Sequence, residues 1–243
     1  MRYQFVDCRF DLAHPERGEA MYLEGHIPGA SFLDLELDLS DMLRAPDAGR
    51  HPLPDATAFA ESASRAGIGS GVFVVAYDQG AAGGAERLWW LLRHFGHNDV
   101  AVLSGGIGVW HGPLRAGRDP ANEAGFVPRP RDDDVLHADE LLQRLDDPDI
   151  VVVDARLPER YRGELEPFDP VAGHIPGAIN WPYTEAGKIP VEVQEASEIV
   201  AYCGSGVTAC VSLLALARAG KRARLYPGSW SEWSRRGLPA QRG

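Results

Sequence analysis

Gly173-His174-Ile175-Pro176-Gly177-Ala178 repeats, residue for residue, the stretch Gly25-His26-Ile27-Pro28-Gly29-Ala30. The likeness extends outward. Upstream, Phe5-Val6-Asp7-Cys8-Arg9 is matched by Val152-Val153-Asp154-Ala155-Arg156. Downstream, the run ending at Asp78 is matched by Ile199 to Cys203, and Gly105 through Trp110 by Gly228 through Trp233. The same punctuation in the same order means two copies of one structural unit. Each half holds short Val/Ile-rich runs with the length and flanks of buried strands, alternating with helical stretches. That alternation predicts an α/β fold with a mainly parallel sheet in each copy. Residues 119–134, rich in Pro, Gly and charge, read as a linker between a first domain over 1–118 and a second over 135–243.

Composition narrows the function classes. Of 243 residues, 44% are hydrophobic and 24% charged, ordinary values for a soluble globular chain. A formal net charge of −11 argues against general nucleic-acid binding, which needs a basic surface, and leaves small anions open. No basic-then-apolar leader and no apolar run of membrane-spanning length is found, so no membrane partner and a cytoplasmic location are expected. Three cysteines, Cys8, Cys203 and Cys210, make neither a disulfide framework nor a zinc framework.

Cys203 carries the chemistry. The apolar run Ile199 to Tyr202 ends on it, Gly204-Ser205-Gly206 follows, and an apolar helical pattern then runs to Gly220. This order places a thiol at the carboxyl end of a strand and beneath a helix N-terminus, where backbone N–H groups favour negative charge. The thiolate is the nucleophilic form. A buried structural cysteine is the plain alternative, but two flanking glycines let the backbone fold around an anion. Ser205 either donates its hydroxyl to a substrate or shapes the loop. Thr208 reads as a helix cap or a buried contact, and Cys210 as core, with a resolving thiol as the alternative. Alignment of the halves puts Asp78 opposite Cys203, so the first copy has no thiol at its site.

Cys203-Gly204-Ser205-Gly206-Val207-Thr208-Ala209 resembles the active-site loop of the rhodanese-type sulfurtransferases in its mercaptopyruvate variant. Gly173 to Ala178 resembles that family's HIPGA signature, and Tyr226 to Trp233 its C-terminal GSWSEW stretch. The resemblance spans nearly the whole chain and implies tandem rhodanese-like domains, the first non-catalytic and the second catalytic. The implied activity moves sulfane sulfur from 3-mercaptopyruvate, or thiosulfate, through a Cys203 persulfide to cyanide or a thiol. Its active-site loop would be Gly204, Ser205, Gly206, Val207 and Thr208, with no cofactor and no metal. The family's substrate arginine carries over to Arg160, whose planar fork suits a carboxylate. Arg156 is expected to pair internally with Asp154 or Glu159. A second family arginine, after the Glu-Pro that matches Glu166-Pro167, is replaced here by Phe168. An acid–His–Ser relay known in some members would use His26 and Ser205, with His14 standing where its acid should be and Asp11 slightly earlier. The HIPGA histidine occurs in both copies, one of them without a thiol, which favours a structural role.

Length sets the copies apart. Fifty-two positions separate His26 from Asp78, but 29 separate His174 from Cys203. The second domain is therefore expected to be shortened by a helix within 181–197. Two other functions use a cysteine so placed. A cysteine phosphatase needs an arginine six residues after the nucleophile, where this chain has Ala209. A sulfur-relay or binding module loaded by a protein persulfide would keep the thiol yet ignore small donors. The neutral Gly204-Ser205 pair favours 3-mercaptopyruvate over the dianion thiosulfate. The sequence is silent on oligomeric state.

Overall fold

The computed structural model describes residues 2–45, 48–80, 82–120 and 124–243. The chain forms two compact units. One comprises Met1–Asp41 and Leu53–Arg131, the other Met42–Pro52 and Asp132–Gly243. Met42–Pro52 thus lies in the first half of the sequence and packs in the second unit, an assignment that chain order alone does not suggest.

The first unit runs β1 (Arg2–Asp7), α1 (Arg17–Glu24), β2 (Ser31–Phe32), α2 (Ala56–Arg65), β3 (Val72–Tyr77), α3 (Gly84–His94) and β4 (Val100–Val102). The second runs α4 (Ala138–Gln143), β5 (Ile150–Asp154), α5 (Pro158–Tyr161), β6 (Ile179–Asn180), α6 (Val191–Glu195), β7 (Glu198–Tyr202), α7 (Ala209–Arg218), β8 (Arg224–Leu225) and α8 (Ser229–Arg235). Each unit has one four-stranded sheet, ordered β2-β1-β3-β4 and β6-β5-β7-β8, with every pair parallel. The β-branched runs Val72–Tyr77 and Ile150–Asp154 form central strands, and α7, apolar nearly all round, lies buried against β7 and β8. In the second unit Val152, Val200, Tyr202, Trp230 and Trp233 meet in one core. The order reverses between β5 and β7, so their carboxyl ends flank the crevice in which open α/β sheets bind ligands.

The repeated motifs do the same work in both units. At the end of β1, Arg9 forks the buried Asp7 and donates to the carbonyls of Met21 and Gly25. At the end of β5, Arg156 forks Asp154 and donates to the carbonyl of Gly173 at 2.6 Å. His26 Nδ1 donates to Tyr22 O and its ring stacks on Tyr22 at 4.0 Å; His174 Nδ1 donates to Tyr161 O and stacks on Tyr161 at 3.7 Å. A carbonyl only accepts, so Nδ1 carries the proton in each ring. The HIPGA histidine is a staple between the helix that follows the unit's first strand and the turn before its second strand.

The expected loss of a helix is a reduction instead. Where the first unit has the ten-residue α2, capped by Asp55 accepting from the amides of Thr57 and Ala58, the second keeps the five-residue α6. The described part of the linker is held by hydrogen bonds. Ala124 N donates to Ser64 O and Arg129 N to Phe95 O in the first unit, while in the second Leu225 N donates to Asp134 O. Residues 121–123 lie outside the described residues. Among the described residues, no helix is long and apolar enough to cross a membrane.

Candidate active site

Cys203 immediately follows β7 and is 1% exposed. Its amide donates to Ser229 Oγ at 3.1 Å, and that hydroxyl donates to Tyr226 O at 3.0 Å. Ser229 has φ 54, the one non-glycine in the left-handed region among the described residues. Its counterpart in the first unit, Gly106, has φ 61. The second copy thus tolerates local strain to place a hydroxyl under the cysteine amide. The first turn of α8 grips the loop further: Trp230 N donates to Cys203 O and Ser231 N to Gly204 O. At Gly206, φ 76 requires glycine, and the turn brings the Gly206 amide to 3.1 Å from Cys203 Sγ. This N–H and the N-terminus of α7 both turn partial positive charge toward the sulfur.

The first unit shows what such a loop does with negative charge. Asp78 accepts from the amides of Gly80 (2.6 Å), Gly84 (3.1 Å) and Ala85 (3.3 Å). A fixed carboxylate fills the amide cradle where the second unit offers its thiol.

Around Cys203, Val207 is buried and accepts from Cys210 N through its carbonyl. Thr208 occupies the N-cap position of α7 without a side-chain capping bond, so the cap reading of its hydroxyl does not hold. Cys210 is fully buried, its thiol donating to Gly206 O at 3.4 Å. In the first unit, burial pushes the Cys8 thiol well up, and the neighbouring Asp7 carboxylate adds to it.

Ser205 is buried, and its hydroxyl lies 2.8 Å from Nδ1 of His51, a residue of the same unit through Met42–Pro52. The histidine bonded to Ser205 is therefore His51, whereas His26 was the expected one. His26 is bound to Tyr22 O, and its Nε2 stands 3.3 Å from the Asp119 carboxylate.

Beside the loop stand two guanidinium groups. Arg160, on α5, binds Glu166 at 2.7 Å and Asp169 at 3.5 Å. Arg50 pairs with the same Asp169. Both guanidinium carbons sit 5.2 Å from the centroid of the Phe168 ring. A methyl group on Gly204 would meet Arg50 Nη2 at 2.8 Å and Arg160 Nη1 at 3.1 Å, so both cations abut the residue after Cys203. Arg156 pairs with Asp154 and with Glu166, not with Glu159.

The rhodanese-like domain family matches this chain twice, over residues 1–112 and 137–236. The probable 3-mercaptopyruvate sulfurtransferase of Pseudomonas aeruginosa is 42% identical over 249 residues, covering 94% of this chain and 88% of that protein. The chain belongs to the two-domain rhodanese-type sulfurtransferases. This sulfurtransferase is also 39% identical over 254 residues to the putative thiosulfate sulfurtransferase SseB of Mycobacterium tuberculosis, covering 94% of the chain and 87% of that protein. The solved structure of SseA, a 3-mercaptopyruvate sulfotransferase from Escherichia coli, superimposes with a TM-score of 0.79 at 33% identity, covering 94% and 92% of the two chains. The names of these relatives fall on both sides of the donor question.

Reading in chain order missed Arg50 and His51 because they lie 150 or more positions before the loop they serve. The available signal was the surplus length of the first copy, part of which, Met42–Pro52, belongs to the other unit.

Proposed function

We propose that this sulfurtransferase takes sulfur from 3-mercaptopyruvate through a persulfide on Cys203 and passes it to a thiol or cyanide. The observation that carries the reading is the 2.8 Å bond between Ser205 and His51, two residues beyond the nucleophile. The Cys203 thiolate attacks the donor's sulfur; an S–S bond forms as the C–S bond breaks, and the electron pair stays on carbon as the enolate of pyruvate. That enolate needs a proton, and a hydroxyl backed by an imidazole is the group to deliver one. The proton first carried by the donor's sulfur then restores the pair. Sulfite leaving thiosulfate keeps its pair as a stable anion and needs no such delivery. The acceptor next attacks the outer sulfur, and Cys203 leaves as the thiolate that the Gly206 amide stabilises.

Charge supports the same donor. Arg50 and Arg160 stand with Glu166 and Asp169 as partners, two cations against two anions, so a dianion finds little net attraction. A single carboxylate needs only oriented donors, and Arg160 supplies them.

The test is the intact mass of reduced protein after brief exposure to 3-mercaptopyruvate and, separately, to thiosulfate. One added sulfur, acquired faster from 3-mercaptopyruvate, is expected. Faster loading from thiosulfate overturns the donor assignment, and no loading from either points to a protein donor. Ser205→Ala should slow 3-mercaptopyruvate turnover by about 10²-fold and leave thiosulfate loading nearly unchanged. Equal losses on both donors would make Ser205 a loop-shaping residue only. Gly204→Ala should raise the 3-mercaptopyruvate KM with little change in the urea midpoint, because the added methyl meets flexible arginine tips rather than backbone.

A further inference from the structure

We infer that Arg50 is the second arm of a two-arginine grip on the donor's carboxylate, facing Arg160 across Gly204; the inference rests on the 3-mercaptopyruvate reading above. Arg50 comes from the first half of the sequence, yet its backbone is anchored in the second unit beside the nucleophile. Its amide donates to Ser231 Oγ at 3.0 Å, and a methyl on Gly49 would stand 2.7 Å from Gly228 O. The same turn holds Cys203 through Ser229. The following residue, His51, holds Ser205. The backbone of Arg50 is thus placed as firmly as the loop itself.

Each arginine commits part of its fork to buried carboxylates and keeps part free. Arg50 donates through Nη1 to Asp169, and its Nη2 makes no hydrogen bond among the described residues. Arg160 donates through Nη2 to Glu166 and Asp169; among the described residues its Nη1 makes no hydrogen bond and its buried Nε has no partner. The unused Arg50 Nη2 and Arg160 Nη1 are the two atoms nearest to a methyl on Gly204, at 2.8 and 3.1 Å, ahead of the committed Arg160 Nη2 at 3.5 Å. Two free donors converging from opposite chains of contact match the two oxygens of one carboxylate. Phe168 adds no charge; it is the ring against which both forks rest. Position 168 therefore needs no arginine, because position 50 brings one to the same ring.

The experiment follows Cys203 persulfide formation by intact mass, as a function of 3-mercaptopyruvate concentration, in Arg50→Met, Arg50→Lys and Arg50→Met/Phe168→Arg. Arg50→Met is expected to raise the half-saturating concentration about 10- to 100-fold, as loss of a charged hydrogen bond does, with the limiting rate little changed. Arg50→Lys should recover part of the loss, and an arginine restored at 168 most of it. Loading from inorganic polysulfide, which has no carboxylate, should be unaffected in all three. An unchanged half-saturating concentration in Arg50→Met, or an equal loss with polysulfide, overturns the role of Arg50 while the donor reading stands. Wild-type protein that loads from polysulfide but not from 3-mercaptopyruvate overturns the donor reading itself.

Discussion

Cys203→Ser is expected to accept no sulfur from any donor and to lower sulfur transfer by about 10³-fold or more. Serine is close in size and keeps the amide contact to Ser229, so the loop should stay folded. The hydroxyl, however, does not ionise near neutrality even beside the Gly206 amide, and an alcohol cannot hold a persulfide. No other thiol stands in reserve. Cys8 is buried, with its thiol pushed well up by desolvation, and Cys210 is fully buried and donates to Gly206 O. Cys210→Ser should therefore leave turnover little changed. Intact mass settles both: an added sulfur in Cys203→Ser would move the persulfide elsewhere, and a large loss in Cys210→Ser would require a two-thiol mechanism.

Arg156→Met is expected to be the most destabilising single change near the site, by about 3–5 kcal/mol. Its side chain is 1% exposed and ties Asp154, Glu166 and the Gly173 carbonyl together while lying 4.8 Å from the Trp230 ring. Methionine fills the stem but leaves two buried carboxylates short of their shared cation. An uncompensated buried charge costs far more than the pair contributes. Thermal melting should fall by roughly 10 °C, with a matching drop in the urea midpoint. Donor use should weaken as well, since Glu166 also orients Arg160. Wild-type stability in this variant would mean that the Asp154–Arg156 pair is dispensable to the fold.

Much of this was open to reading in the chain. The doubled HIPGA stretch and the matched strand runs required two parallel α/β units, and both sheets have one strand order. The Cys203 loop was legible because its parts are contiguous: strand end, thiol, glycine turn and helix start follow one another within a dozen residues. The segment that carries Arg160 was legible as site lining because it follows β5, whose carboxyl end adjoins that of β7, and the family resemblance singled out Arg160 within it. The family resemblance, by contrast, offered His26 as a possible relay member, while the structure puts His51 beside Ser205. His26 sits in a repeated motif, and the repeat itself, with Tyr22 and Tyr161 stacked on the two copies, marks a staple rather than a relay.

The sequence by itself determined the elements, their parallel pairing and the thiol at the end of a central strand, because periodicity, turn residues and a strand end act over short spans of chain. Only the tertiary structure decided which histidine meets Ser205 and which second arginine meets Gly204. Both come from Met42–Pro52, a segment that leaves the unit of its neighbours in sequence to pack in the other. Local pattern fixes how a segment is shaped, whereas the unit it joins depends on long-range contacts, here the Arg50 amide on Ser231 and the Arg50 guanidinium on Asp169, which no short window of sequence contains.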